Sequence, residues 1–159
     1  MKLLDTIRKD AVCSMKDNTS KLLGLEDVIV KNVYENETGC CIELELPRQK
    51  HSCPRCQNET ERIHDYRIQR VKDLDMHGVH TYLYLRKRRY VCSACGKRFY
   101  EKNSFLPRFH RVTNRLVAKV ISDFKDLRSA KEIGSKHNVS AQTALRYFKL
   151  VNYSCRELP

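Results

Sequence analysis

The segments Cys53-Pro-Arg-Cys56 and Cys92-Ser-Ala-Cys95 decide the fold of this chain, because each brings two thiols together across a gap of two residues. Two such Cys-x-x-Cys clips supply four sulfurs, the ligand set of a closed tetrahedral zinc site. The spacing therefore predicts one structural Zn²⁺ held by Cys53, Cys56, Cys92 and Cys95, with no vacant position for catalysis.

Other uses of the eight cysteines fit less well. A redox-active clip is expected at the strand–helix junction of a βαβ unit, and neither clip has that setting. Gly96 follows the second clip, where the turn needs a positive φ or a close backbone approach. Without a secretory signal, the thiols indicate a reduced, cytosolic protein rather than a disulfide framework. The remaining cysteines lack partner spacing and are interpreted as ordinary thiols: Cys13, Cys40, Cys41 and Cys155.

The positive charge of the chain begins at the first clip. The net charge is +12, and residues 51–110 carry 13 Lys/Arg against 6 Asp/Glu, while residues 111–159 carry 10 against 4. Residues 1–50 carry 8 against 9. This uneven distribution predicts a polyanionic partner, double-stranded DNA above all. Because no apolar run reaches about 18 residues, we expect no membrane span. The reduced thiols and the predicted DNA partner together favour a cytoplasmic, nucleoid-associated protein.

The segments before and between the clips predict β-structure. Val28 to Leu46 reads as a hairpin around the turn 36–39, and we expect it to pack against the zinc module. Residues 62–71 and 82–91 read as two further strands, joined by residues 73–80 with Gly78 at the bend. Two knuckles joined by a strand, a turn and a strand form a zinc ribbon with an enlarged hairpin.

Helical spacing begins near Thr113. One side of the first predicted helix carries Leu116, Val117, Val120, Ile121, Phe124 and Leu127. The capping box of Ser129 and Glu132 starts a second helix, and Ser140 caps a third over residues 141–150. This spacing predicts a helix-turn-helix, with Asn138 in the turn where a residue tolerant of left-handed geometry is needed. The alternative is a helical hairpin that only packs or dimerises, and a homodimer stays open.

The candidate DNA contacts divide into two groups. The first group would contact phosphates and contains Arg86, Lys87, Arg88, Arg89, Arg111 and Arg115. The second group surrounds the start of the third helix and contains Ser140, Ala141, Gln142, Thr143 and Arg146. Gln can bind adenine and Arg guanine through two hydrogen bonds each, so we expect sequence preference from Gln142 and Arg146.

The fold class predicted from these patterns is α+β: a β-hairpin plus a four-cysteine zinc ribbon, followed by a three-helix helix-turn-helix domain. The expected divisions are an N-terminal arm or short helix over residues 1–24, a hairpin and zinc-ribbon domain over 25–104, and a helix-turn-helix domain over 105–159.

The order of the parts resembles the N-terminal DNA-binding region of bacterial insertion-sequence transposases of the L3 group. The resemblance runs through the first clip, residues 73–78, residues 85–92 and Cys95-Gly-Lys-Arg-Phe99, and continues into the helical segment. It implies recognition of the terminal inverted repeats of a mobile element. In that family, a C-terminal domain cuts and joins DNA with metal-bound carboxylates.

The sequence stops at Pro159, so we expect a fragment or shortened product that does not catalyse strand transfer. The acidic residues after the second clip are Glu101, Asp123, Asp126, Glu132 and Glu157. The alternative is a free-standing transcriptional regulator or transposition repressor. A zinc-dependent deaminase would need a His-x-Glu element, which does not occur in this sequence. RNA binding through the ribbon is a weaker alternative.

Overall fold

A computed structural model describes residues 23–25, 27–107, 110–126 and 128–151. The arm or helix expected over residues 1–24, the predicted core residue Leu127 and the thiols of Cys13 and Cys155 thus lie almost wholly outside the described residues. The described part contains a mixed β-sheet, a small two-stranded sheet and three α-helices, which confirms the α+β class.

Within the described residues, seven strands precede the helices. They are β1 (Ile29–Asn36), β2 (Gly39–Glu45), β3 (His51–Ser52), β4 (Glu59–Thr60), β5 (Ile63–Met76), β6 (Val79–Val91) and β7 (Arg98–Tyr100). The larger sheet has the order β1-β2-β6-β5, and β7 pairs with β6 beyond the end of β2. Strands β3 and β4 form the two-stranded sheet around the first clip.

The predicted first hairpin is confirmed and joins the ribbon. Strands β1 and β2 are antiparallel and connected through Glu37 and Thr38. Strand β2 pairs in parallel with β6, from Cys40 opposite Thr81 to Glu45 opposite Arg86. Most β2 side chains are buried because this strand lies in the middle of the sheet. The hairpin therefore packs against the zinc module by extending its sheet.

Strands β5 and β6 form a longer hairpin than the sequence predicted. The predicted connection over 73–80 shrinks to His77 and Gly78, with φ of +52° and +79°. A two-residue turn with both φ values positive matches the right-handed twist of the flanking strands. The strands continue to Met76 and from Val79, so β-structure replaces the predicted loop.

One face of this sheet carries the larger hydrophobic core. Its members come from β1, β2, β5 and β6 and include Ile42, Leu44, Val71, Leu83 and Leu85, each at most 1% exposed. Phe105 and Leu106, which follow β7, belong to the same cluster.

The helices are α1 (Asn114–Asp123), α2 (Ala130–Lys136) and α3 (Ala141–Phe148), with a 3₁₀ turn over Phe124–Asp126. Thr113, Ser129 and Ser140 cap them, each accepting a hydrogen bond from a backbone N–H three residues on. The predicted capping box of Ser129 and Glu132 is present. None of the helices in the described ranges has the length and apolar character needed to cross a membrane.

A second core lies between the helices. Its buried members are Val112, Leu116, Val120, Ile133, Ala144 and Tyr147. Gly134 allows the close packing, because a Cβ there would lie 2.7 Å from the carbonyl oxygen of Val139. Asn138 adopts a φ of +51° in the turn between α2 and α3, as the sequence predicted.

The helical segment is docked on β5. Lys72 and Val112 form a parallel bridge, and the N–H of Thr113 donates to the carbonyl of Lys72 at 3.0 Å. The buried carboxylate of Asp73 accepts from the Thr113 hydroxyl at 2.7 Å and from the Arg115 guanidinium. These contacts fix the start of α1 against the sheet.

Candidate metal centre and nucleic-acid interface

The two clips adopt the same local structure. In the first, the N–H of Gln57 donates to the carbonyl of Cys53 at 3.0 Å. In the second, the N–H of Gly96 donates to the carbonyl of Cys92, also at 3.0 Å. Gln57 and Gly96 have φ values of +62° and +67°. The left-handed conformation predicted at Gly96 is therefore confirmed. Gln57 adopts the same conformation in the first clip, and the sequence did not indicate it because no glycine stands there.

The clips bring four sulfurs together. The Sγ atoms of Cys53 and Cys95 are 3.6 Å apart, and that of Cys56 lies 3.5 Å from those of both Cys92 and Cys95. All four lie within 4.8 Å of one another. A tetrahedron with Zn–S bonds of about 2.3 Å has S–S edges of about 3.8 Å, so the set fits one structural Zn²⁺.

Backbone groups in the first clip favour the thiolate that zinc requires. Burial disfavours ionisation of Cys53, but hydrogen bonds from the N–H groups of Arg55 and Cys56 and from the Cys95 and Cys56 thiols outweigh it and lower the pKa of Cys53 to about 6. The same contacts between thiols raise the pKa of Cys56, so the first negative charge of this clip lies on Cys53. The N–H of Arg55 lies 3.4 Å from the Cys53 sulfur. Cys53 and Cys92 are buried, whereas Cys56 is exposed, which places the site at the surface end of the ribbon.

The histidines have other roles in the described residues. The ring of His51 packs on that of Tyr90, with centroids 4.6 Å apart. His80 pairs with Asp75 at 3.1 Å, and His137 pairs with buried Asp123 at 3.0 Å. Within the described ranges, the four cysteines are the one cluster of three or more potential ligands close enough for a metal ion.

The four basic residues 86–89 on β6 lie partly at the surface and partly in the interior of the protein. Arg88 is 6% exposed and donates to the Leu46 carbonyl at 2.6 Å. It also pairs with Glu45 and Glu101, each at 3.4 Å. The prediction that Arg88 contacts phosphate is therefore corrected, because its guanidinium is occupied inside the protein. Burial raises the pKa of Glu101, although hydrogen bonds from Arg88 oppose that effect.

The neighbours of Arg88 are more accessible. The Arg86 guanidinium lies 4.1 Å from the ring centroid of Tyr66, and its side chain is 53% exposed. The Lys87 ammonium donates to the Gln69 amide oxygen at 3.1 Å. Arg89 binds the Asp65 carboxylate, with one contact at 2.9 Å.

The two arginines that flank Val112 differ in the same way. Arg111 is exposed. Arg115 binds both oxygens of the Asp73 carboxylate and donates to the carbonyl of Leu23. Arg115 therefore stabilises the junction between the sheet and α1. Its pairing with Asp73 was not predictable from its position in the sequence.

The outward face of α3 carries Gln142, Leu145 and Arg146, all exposed. Ser140 and Thr143, both predicted contacts, bind each other through their hydroxyls at 2.8 Å and form the helix cap. Ala141 is half-buried at the start of the helix. Sequence reasoning missed Leu145, which is 39% exposed one turn after Gln142. Its position in the sequence, three residues after Gln142 and next to Arg146, could have indicated that Leu145 lies on the outward face of the helix.

Two of the acidic side chains near the helices, Asp123 and Glu132, are committed to the fold. Asp123 is 2% exposed and binds Lys119 at 3.0 Å and Lys136 at 2.6 Å. Glu132 completes the capping box at the start of α2. Asp126 lies near Arg128, with 3.9 Å between the closest charged atoms. These carboxylates form structural pairs rather than a cluster of metal ligands.

Comparisons with known proteins agree with the metal centre. The family described as the zinc-finger of transposase IS204/IS1001/IS1096/IS1165 matches residues 49–95. The transposase for insertion sequence element IS1001 from Bordetella parapertussis is 33% identical over 64 residues. That match covers 40% of this chain and 16% of the relative. No solved structure matches the chain.

The matched residues contain both clips, β5 and β6, which carried most of the predicted resemblance. The helical segment, into which the predicted resemblance continued, lies outside the residues matched by this family. Four clustered sulfurs within a segment of this kind fit a single structural zinc ion. The resemblance of this chain to the N-terminal zinc-binding region of insertion-sequence transposases is therefore confirmed.

Proposed function

We propose that this chain binds double-stranded DNA and recognises the terminal inverted repeats of a mobile element, as part of its transposase. The observation that carries the proposal is the four-sulfur ribbon, which lies within the match to a transposase zinc-finger. The net charge of +12, concentrated from the first clip onward, supports a nucleic-acid partner.

In this proposal the zinc ion is structural. Cys53, Cys56, Cys92 and Cys95 are its ligands, and four thiolates leave no open position for a substrate or water. The metal joins the ends of the β5–β6 hairpin, because one clip precedes β5 and the other follows β6. Its function is to hold the basic strands in a fixed arrangement.

The helical segment reads DNA as a helix-turn-helix. Helices α2 and α3 are short, and residues 137–140 join them. Helix α3 is the recognition helix, since its buried face packs through Ala144 and Tyr147 while Gln142 and Arg146 point outward. Leu145 adds an apolar group that can contact a thymine methyl.

Affinity that does not depend on sequence comes from exposed cations. Arg86, Lys87 and Arg111 remain candidates for phosphate contact, because their side chains are at least partly accessible. Arg89 joins them with its charge already paired to Asp65. Arg88 and Arg115 take structural roles instead.

We assign binding rather than strand transfer to this part of the molecule. A two-metal site needs carboxylates that converge on cations about 4 Å apart. Asp123 and Glu132 are engaged in the ion pairs and the cap described above. In this proposal, cutting and joining of DNA require groups other than these.

A footprinting experiment tests the proposal. The zinc-loaded protein is incubated with the DNA that flanks its own gene, and protection from nuclease cleavage is mapped along both strands. Protection confined to two inverted sequences at the ends of the element supports the assignment. Protection of a single site upstream of the gene would favour a regulator, and uniform weak protection would contradict both.

A further inference from the structure

A polar cleft lies between β5 and the turn that connects α2 to α3. Its volume is about 390 Å³, and it is lined by Lys72 from β5, Lys131 from α2, and residues of the turn and of the start of α3. The remaining lining residues are neutral, among them Ser135, Asn138 and Ser140. The cleft therefore has two cationic walls and no lining carboxylate.

Both lysines have donors available for a ligand. The Lys72 ammonium donates one hydrogen bond to the carbonyl of Asn138. An ammonium has three N–H donors, so two remain. Lys131 is exposed, and no ion pair joins it to any residue in the described ranges. An anion in the cleft would thus meet two cations that are not neutralised.

A third cation increases the positive potential at this position. Arg70 lies two residues before Lys72 on the same face of β5, and its guanidinium is 3.8 Å from the ring centroid of Tyr82. Burial and the charge of Arg70 lower the pKa of Lys72. A bound anion would relieve this repulsion.

The cleft is preformed by contacts on both sides of the turn. The side chain of Asn138 donates to the Tyr82 hydroxyl at 2.7 Å, while its carbonyl accepts from Lys72. Tyr82 is 5% exposed and belongs to β6. Because two strands hold the turn, an anion would bind without rearranging it, which lowers the entropic cost of binding.

We propose that this cleft binds one phosphate of the DNA backbone, with Lys72 and Lys131 contacting the same group. The inference rests on the proposed function and adds to it a site shared by the sheet and the helices. Ser140 and Ala141 line the cleft at the start of α3. A phosphate bound there would fix how α3 is aligned along the duplex, since backbone contacts set register.

The salt dependence of DNA affinity tests the site. Each phosphate contact contributes about −0.9 to the slope of log K against log salt concentration. Lys72→Gln and Lys131→Gln are each expected to weaken DNA binding. For each variant, the loss of affinity should be the same on the specific duplex as on the scrambled duplex, because a phosphate contact carries no sequence information. The double variant should make the slope shallower by about 0.9 in total, because both lysines neutralise one phosphate.

Two controls separate this effect from misfolding. Lys125→Gln removes one exposed charge outside the cleft and should leave the slope closer to the native value than either cleft variant does. Lys72→Arg keeps the charge and should retain most of the slope. Of the two test variants, Lys131→Gln changes an exposed side chain, so misfolding does not explain its effect. An unchanged slope in the double variant, with thermal unfolding as in the native protein, would overturn the proposal.

A second measurement tests anion binding in the cleft separately from DNA recognition. Inorganic phosphate is titrated into the native protein while amide shifts are followed by NMR. Shifts at Ser135, Ser140 and Ala141 that vanish in the double variant would support the cleft even if no DNA specificity were found. Normal DNA binding without such shifts or slope changes would contradict the cleft and leave the proposed function standing.

Discussion

Cys92 directly follows β6, and its sulfur lies 3.5 Å from that of Cys56 in the other clip. Because one zinc ion joins the clips, Cys92→Ser is expected to release the metal and unfold the ribbon. Structural zinc contributes about 10–16 kcal/mol of apparent binding free energy in zinc-finger peptides, an amount comparable to the whole free energy of unfolding of a domain. Metal stoichiometry and thermal unfolding measure the effect.

Cys40→Ala is the matched control. This thiol is buried in the sheet core, and its sulfur is not part of the four-sulfur cluster. The variant should keep one zinc per chain with a modest loss of stability. Full zinc content and native thermal stability in Cys92→Ser would show that the cluster is not the metal site.

Asp123 supports a second residue-level prediction. Burial by itself raises its pKa, but hydrogen bonds from Lys136, Lys119 and His137 outweigh burial and hold the pKa well below its ordinary value of 3.8. The carboxylate therefore contributes stability that is fully present above about pH 4 and is lost as the pH falls through the folded-state pKa.

Asp123→Asn should lower the free energy of unfolding by about 1–3 kcal/mol at pH 7, because hydrogen bonds to a charged group are lost. The difference between variant and native protein should shrink in strong acid. Urea unfolding at pH 7 and at a pH below about 4 measures the difference in the free energy of unfolding. Asp126→Asn, which changes an exposed carboxylate, is the control. A difference that persists unchanged in acid would contradict the ionic explanation.

Residue-level prediction from the sequence succeeded where the cause is local. The clip spacing and the tolerance of Asn138 for positive φ both depend on a few neighbouring residues. The burial of Arg88 was not predictable in this way. Its partners Glu45 and Glu101 come from distant parts of the chain and meet it only when the sheet forms.

At the scale of elements, the contact between α2 and α3 depends on Gly134. A Cβ at this position would lie 2.7 Å from the Val139 carbonyl oxygen and 3.1 Å from the Ala141 nitrogen. Gly134→Ala should therefore separate the helices and cost about 1–3 kcal/mol, despite the higher helix propensity of alanine. Ser135→Ala, which changes the exposed neighbouring residue, is the control. If thermal unfolding shows that Gly134→Ala is as stable as the native protein, the close packing of the helices is contradicted.

The outward face of α3 gives the prediction for specificity. Arg146→Ala should cost about 1–3 kcal/mol on a specific duplex and much less on a scrambled duplex, because a bidentate contact to guanine distinguishes the bases. Competition binding with both duplexes measures the difference, and Arg128→Ala removes an exposed arginine outside α3 as the control. Equal losses on both duplexes would identify Arg146 as a phosphate contact.

Element-level prediction worked for type and position more than for length. Alternating residues indicated the first hairpin, and the caps at Ser129 and Ser140 marked where α2 and α3 begin. The β5–β6 hairpin was predicted too short, because its last pairs include polar residues such as Asp73. Asp73 is buried, and its carboxylate accepts hydrogen bonds from Thr113 and Arg115 of the helical segment, partners that no local pattern indicated.

At the scale of the whole molecule, the sheet and the helices are connected rather than independent. Sequence patterns predicted both parts but not their junction, since the junction consists of a short backbone bridge between Lys72 and Val112, the packing of Leu74 against the helical core, and single polar contacts. The carbonyl and side chain of Asn138 bind Lys72 and Tyr82, and Arg115 binds Asp73. Loss of zinc should therefore also affect DNA recognition by the helices.

The most direct test of the central claim is a fluorescence-anisotropy titration of the zinc-loaded protein. The probes are duplexes from the DNA flanking its own gene and a scrambled duplex, each at two salt concentrations. We predict an affinity for one flanking sequence about a thousandfold or more above that for the scrambled duplex, with a preference that persists at the higher salt concentration. Weak, equal binding that disappears as salt is raised would contradict specific recognition of the element's ends.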